Sequence, residues 1–119
     1  MNVGQQQSFL QTPRAERIAQ LNDELRKSGQ GGRVMLTAGV QAIDAFDAST
    51  LLSALATYAA FDEDNDPHGE RDFGDLDYRG RELLWKIDYY DGSLEFGSSD
   101  PADPSVTTRV LTIMLAEEY

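Results

Sequence analysis

The stretch that most limits what this chain can fold into is Glu82 to Tyr90. Leu83, Trp85, Ile87 and Tyr89 fall on one side of it, and Glu82, Leu84, Lys86, Asp88 and Tyr90 on the other. Only an extended strand separates residues with a period of two, so this is a strand with one buried face. Asp91-Gly92 follows it and is a strong two-residue hairpin signal. A type I′ turn there pairs Tyr90 with Ser93, Tyr89 with Leu94, Asp88 with Glu95 and Ile87 with Phe96. Upstream, a turn at Arg79-Gly80 pairs Tyr78 with Arg81, Asp77 with Glu82 and Leu76 with Leu83, although Arg-Gly is the weaker signal. The expectation is a meander of three strands.

Around this meander the rest of the chain reads as follows. Residues Met1 to Gln11 are Gln-rich and aperiodic, a flexible lead-in. Thr12 is placed to cap a helix with Pro13 at its first position, running to Ser28 with Gly29 as its stop. The helix has an apolar stripe of Ala15, Ile18, Leu21 and Leu25. Arg33 to Val40 alternates like a strand. A second helix begins at Asp47 or Ser49 and runs to about Ala60, with Leu51, Leu52, Leu55, Tyr58 and Ala59 as its apolar face. Ser98 to Ser105 holds Asp-Pro twice and is a loop. Val106 to Leu115 is a last strand. Residues 12–119 therefore form one α+β domain, with a largely antiparallel sheet of four to five strands and two helices packed on one face.

The formal net charge is −11, and it is regional. Residues 1–43 carry +2, residues 44–104 carry −12 and residues 105–119 carry −1. Such a chain is repelled by phosphate backbones and anionic membranes, so direct nucleic-acid binding is not expected. Cysteine is absent, which removes disulfides and thiolate chemistry. No apolar run is long enough to span a membrane and no secretory signal is visible at Met1 to Gln11, so a cytoplasmic protein is expected.

The acidity is densest in Asp62 to Asp75, D-E-D-N-D-P-H-G-E-R-D-F-G-D, where seven carboxylates face one arginine. The loop carboxylates are Asp62, Glu63, Asp64, Asp66, Glu70 and Asp72, and three readings of them are open. As a calcium loop started at Asp62, the stretch puts Pro67 at the turn-glycine position and Phe73 at the bidentate-Glu position, and fails. Started at Asp64 it matches in part, with Asp64, Asp66 and Asp72 as ligands and Gly69 at the turn. Calcium or magnesium would be the ion; otherwise no cofactor is expected. As a catalytic site, His68, Glu70 and Asp72 alternate, so an extended backbone aims all three one way, and a histidine beside carboxylates can act as a general base. As a surface, the loop leads into the sheet face opposite Trp85, which presents Asp75, Asp77, Glu82, Asp88 and Glu95. Like charges opposite each other there, Asp77 with Glu82 and Asp88 with Glu95, cost about 0.2–1 kcal/mol per pair. A sheet keeps such pairs only as a solvated face or for a cationic partner.

Three stretches, G-G-R-V-M-L-T-A-G-V (Gly31 to Val40), D-N-D-P-H-G-E-R-D-F-G (Asp64 to Gly74) and W-K-I-D-Y-Y-D (Trp85 to Asp91), followed by T-R-V-L-T-I-M-L-A (Thr108 to Ala116), resemble a family of small alphaproteobacterial proteins of unknown function. That family is often encoded on plasmids and other mobile DNA. The resemblance covers residues 14–119 and implies a shared fold but transfers no activity. This chain departs from it at Arg71, where the family usually has histidine, and the departure weakens any two-histidine metal or catalytic site.

Small, acidic, cysteine-free proteins from mobile DNA are often inhibitors of host defence complexes. The function expected is an acidic protein-binding module that presents carboxylates to a basic nucleic-acid-binding surface, as an anti-CRISPR-like inhibitor would. Its partner would be a basic protein or a nucleic-acid-handling complex. The alternative is a metal-dependent or histidine-assisted enzyme centred on residues 64–72.

Overall fold

The computed structural model describes residues 12–119; the lead-in expected at Met1 to Gln11 lies outside them. Helix α1 spans Pro13–Ser28, with the Thr12 side chain accepting from the Ala15 N–H at 3.0 Å and Gly29 closing the far end in the left-handed conformation. These are the expected ends, because proline and a short hydroxyl side chain preorganise the first turn and glycine permits the last. Its buried face is rotated from the expected stripe. Ile18, Ala19, Asn22, Leu25 and Arg26 point inward, so two polar side chains enter the core.

Strand β1 covers Gly32–Leu36, shorter than the alternation to Val40 suggests. The Thr37 hydroxyl accepts from the Val40 N–H and caps a single helical turn, α2, Ala38–Gln41. This local bond outcompetes the strand ladder, as threonine and serine often do. Helix α3 spans Ala48–Ala56, capped by Asp47. It stops short of Ala60 because the Arg26 guanidinium collects the carbonyls of Leu55, Ala56 and Tyr58 at 2.9 to 3.3 Å.

The strands β2 (Phe73–Tyr78), β3 (Arg81–Tyr90) and β4 (Thr108–Leu115) complete a four-stranded sheet of order β1-β4-β3-β2. Two of the three pairings are antiparallel and β1–β4 is parallel. The chain ends in a 3₁₀ turn, Ala116–Glu118. The α+β reading holds, with a largely antiparallel sheet and the helices on one face. Among the described residues no helix is long and apolar enough to cross a membrane.

The Arg79-Gly80 hairpin forms in the expected register, with Tyr78, Asp77 and Leu76 opposite Arg81, Glu82 and Leu83. The Asp91-Gly92 hairpin does not. Tyr90 faces Gly97 instead of Ser93, and a six-residue loop, 91–96, takes the place of the tight turn. The Asp91 carboxylate explains the opening: one oxygen accepts from the Ser93 N–H, the Ser93 hydroxyl and the Glu95 N–H, closing a wider turn. The other edge of β3 is occupied by β4, whose Val, Leu and Ile residues offer a longer apolar partner. Asp88 consequently lies opposite Val110, not Glu95.

The core sits between the sheet and the helices, around Trp85, which is fully buried. Tyr58 and Phe61 meet its ring edge-on at centroid distances of 5.5 and 6.0 Å. Leu25 from α1, Val40 from α2, Leu51 and Leu55 from α3, and Leu83, Ile87, Leu111 and Ile113 from the sheet pack around them.

Candidate functional site

The acidic loop joins α3 to β2 and folds back on itself. The Asp62 carboxylate accepts from the N–H groups of Asp64 and Asn65, and the Asn65 side chain accepts from the Asp62 N–H, each at 2.9 Å. Asp66 accepts from the Arg71 N–H at 3.0 Å. Gly69 (φ 70°) and Arg71 (φ 53°) both take the left-handed conformation. The backbone is thus turned rather than extended, and His68, Glu70 and Asp72 are not aligned in the way an extended strand would align them.

The reversal places Glu70 and Arg71 against α1. The buried Asn22 side chain donates to the Glu70 carbonyl at 2.9 Å and to the Tyr89 hydroxyl at 2.8 Å, and that hydroxyl donates to the Glu70 carboxylate at 2.9 Å. Arg109, 2% exposed, donates through Nε to Asn22 at 2.9 Å, donates to the Pro101 carbonyl, and lies over the Tyr89 ring. Arg71 grips both oxygens of Asp23, and Arg26 shares one of them at 3.1 Å. Burial pushes the Tyr89 pKa up, so its hydroxyl remains a donor at neutral pH. The network ties α1, the acidic loop, β3, β4 and the 98–107 loop together. Arg71, the departure from the histidine of the resemblance, serves it as an ion-pair partner.

Sequence reasoning missed Asn22, Arg26, Tyr89 and Arg109 in this role. The legible signal was Arg109, which shares strand parity with Leu111, Ile113 and Leu115 and so had to point into the core.

Among the described residues no group of three or more His, Asp and Glu side chains is placed to hold a metal ion. Of the proposed ligands, Asp64 is exposed, Asp66 is engaged by the Arg71 N–H, and Asp72 is half-buried at the entry to β2. Asp64, Asp66 and Asp72 do not gather into such a group, and Asp66 instead caps the backbone of its own loop. Glu63 and His68 are exposed.

Asp72 carries a testable consequence. Burial first, then the charges of Glu70 and Asp66, raise its pKa above the ordinary value, while His68 opposes them. A carboxyl whose folded pKa is raised stabilises the fold below its unfolded pKa and loses that contribution as pH rises through the folded value. Asp72→Asn is therefore expected to be more stable than the native chain at pH 7. Urea unfolding across acidic to neutral pH should show the difference shrinking as pH falls, and a constant difference would refute the assignment.

The other side of the sheet is different. Asp75, Asp77, Glu82 and Asp88 all have the parity opposite to Trp85, as expected, and Asp77 lies directly across from Glu82. Glu95 does not join them; it is exposed in the 91–96 loop. Lys86 pairs with Asp88 at 2.9 Å, and that hydrogen bond is the main reason its pKa is raised. Between the carboxylates and the β1 edge run Leu84, Tyr90, Val110, Thr112 and Met35, the last 53% exposed. Tyr119 reaches back to Phe73, ring to ring at 5.9 Å. The helices lie on the opposite side of the sheet, where Glu70 and Arg71 of the acidic loop meet α1, while Asp62 of the same loop and Asp75 of the sheet both act on the Tyr58 hydroxyl.

Comparison with known proteins gives no match among curated proteins and none among solved structures. The sequence model of one family, described as "Protein of unknown function (DUF3768)", matches residues 36–118, from the last residue of β1 to the 3₁₀ turn, leaving α1 outside the matched span. With most of its length matched, the chain belongs to the DUF3768 family.

Proposed function

We propose that the protein is a protein-binding module whose open sheet face takes a basic, nucleic-acid-handling surface, offering carboxylates where that partner expects phosphates. In its specific form this is a mobile-element, anti-defence inhibitor of the anti-CRISPR kind, acting in the cytoplasm. The observation that supports it is the distribution of charge: the carboxylates spread along a sheet face instead of converging on a point. Four of them flank a half-exposed apolar strip on a face that carries no helix. An apolar centre with a charged rim is the usual anatomy of a protein interface. The rim charges speed and orient the encounter, and the strip supplies burial. An enzyme centred on residues 64–72 finds less support, since the loop backbone is turned rather than extended and Asp66, Glu70 and Arg71 are engaged within the loop, by Tyr89 and by α1.

The test compares the native chain with a variant reversing Asp75, Asp77, Glu82 and Asp88 to lysine, each immobilised and exposed to host lysate at low salt. The native chain is expected to retain a nucleic-acid-handling protein that is released by salt and displaced by duplex nucleic acid. The reversed variant should bind it at least about tenfold more weakly, because electrostatic steering is lost and its sign inverted. Reversal of Asp62, Glu63 and Asp64, in the loop before β2, should leave binding intact. Equal retention by the face variant, or retention of proteins with no nucleic-acid role, would sink the proposal.

A further inference from the structure

At the far end of β2 from the acidic loop, the β2–β3 turn and the segment after α2 border an open pocket of about 260 Å³, lined by Ala42, Ile43, Asp44, Arg79 and Arg81. Two of the chain's ten basic residues line this spot together with Asp44, while Glu117 pairs with Arg81 and Asp47 lies within the field of Arg79, so guanidinium and carboxylate groups alternate around it. Arg79 is held there against its backbone preference. Its φ is 49° and that of Gly80 is 77°, so both central turn residues are left-handed, where asparagine, aspartate or glycine is usual. Its guanidinium lies 5.2 Å from the centroid of the Tyr78 ring and donates through Nε to the Tyr78 hydroxyl at 3.3 Å. Tyr78 is itself buried, and its hydroxyl accepts from the Asp47 N–H at 2.9 Å. Arg79 thus stands on a fixed platform. Among the described residues it belongs to no ion pair, whereas Arg81 reaches Glu117 at 3.2 Å in an exposed pair of the kind that contributes little.

We propose that this pocket binds a small carboxylic acid bearing a neighbouring hydrogen-bond donor, such as a hydroxy acid or an amino acid. Its carboxylate would lie between Arg79 and Arg81 and its donor towards Asp44. Guanidinium forks match carboxylate geometry, and Glu117 already brings such a group to Arg81. Asp44 and Glu117 repel a doubly charged phosphate more than a monoanion, and Asp44 also supplies an acceptor. The volume lies below the roughly 300–1,000 Å³ of drug-sized sites and suits a metabolite of a few carbons. This inference does not depend on the open sheet face.

The test is a nitrogen-15 NMR titration of the full chain at low ionic strength with lactate, alanine, acetate and inorganic phosphate, following the arginine Nε–H signals and the Asp44 amide. Lactate or alanine should give saturable shifts there with a Kd in the millimolar range, tighter than acetate or phosphate. Arg79→Asn converts the turn to Asn-Gly, which suits the left-handed pair, so it should fold at least as well. It should weaken binding about tenfold or more, through the loss of a charge-assisted contact. Glu117→Gln should tighten binding by removing a competitor. Absence of saturable shifts with any carboxylate, preference for phosphate, equal binding of acetate, or full binding by Arg79→Asn would each overturn the proposal.

Discussion

Arg26→Met is expected to destabilise the fold by about 3–5 kcal/mol, the range found when one partner of a buried charged network is removed. Arg26 is 4% exposed and its guanidinium joins three parts of the molecule. It donates to the carbonyls of Leu55, Ala56 and Tyr58 at the end of α3, pairs with Asp23 on its own helix, and lies over the rings of Phe61 and Trp85 at 5.4 and 5.9 Å. Methionine keeps the apolar stem, so the loss isolates the polar part. Swapping a whole buried ion pair for apolar side chains is often neutral, but here the carbonyls stay behind with nothing to replace the donor. Asp23 keeps Arg71 at 2.8 Å, which limits the loss on that side. Arg26→Lys should fall in between, since an ammonium supplies the charge without the planar fork. Urea unfolding monitored by Trp85 fluorescence measures both; a change below about 1 kcal/mol for the methionine variant would mean that water replaces the guanidinium, at little cost to those carbonyls.

The second large effect is expected at Gly74. This glycine lies across from Trp85 in the β2–β3 pair, and a Cβ there would come within 2.6 Å of both the Trp85 Nε1 and the Tyr58 Cζ. Neither ring can step aside. Tyr58 is packed between Phe61 and Trp85, and Trp85 is enclosed by the core cluster. Gly74→Ala should therefore cost about 2–3 kcal/mol, the upper part of the range for overpacking. Because the clash is with the indole, the effect should be coupled. In a Trp85→Phe background the cost of Gly74→Ala should fall by about 1 kcal/mol or more, measured as a double-mutant cycle. Additive effects would show that the backbone, rather than the indole, sets the demand for glycine.

Where local chemistry decided an element, it was legible. The ends of α1 follow from Thr12, Pro13 and Gly29, and the β2–β3 register follows from period-two alternation around Arg79-Gly80. The same alternation placed Asp75, Asp77, Glu82 and Asp88 on one face. Failures came where a side chain competed with the backbone rule. Thr37 ended β1 by capping α2, Asp91 opened the expected tight hairpin, and Arg26 closed α3 early. With that hairpin went the Asp88–Glu95 pair. The polar network was illegible for another reason: its bonds join residues separated by 48, 67 and 87 positions. No window of sequence contains both partners.

The sequence by itself determined the class of the fold, the strand that carries Trp85, the face that its carboxylates share and the regional charge, because each depends on periodicity and composition over short spans. Only the tertiary structure decided that β4 pairs with both β1 and β3, and that the acidic loop is bound back to α1 through Glu70 and Arg71. Those outcomes depend on which distant groups can satisfy a buried Asn22, Arg26 and Arg109. Burial makes an unpaired polar group costly, so the loop goes where those donors need it.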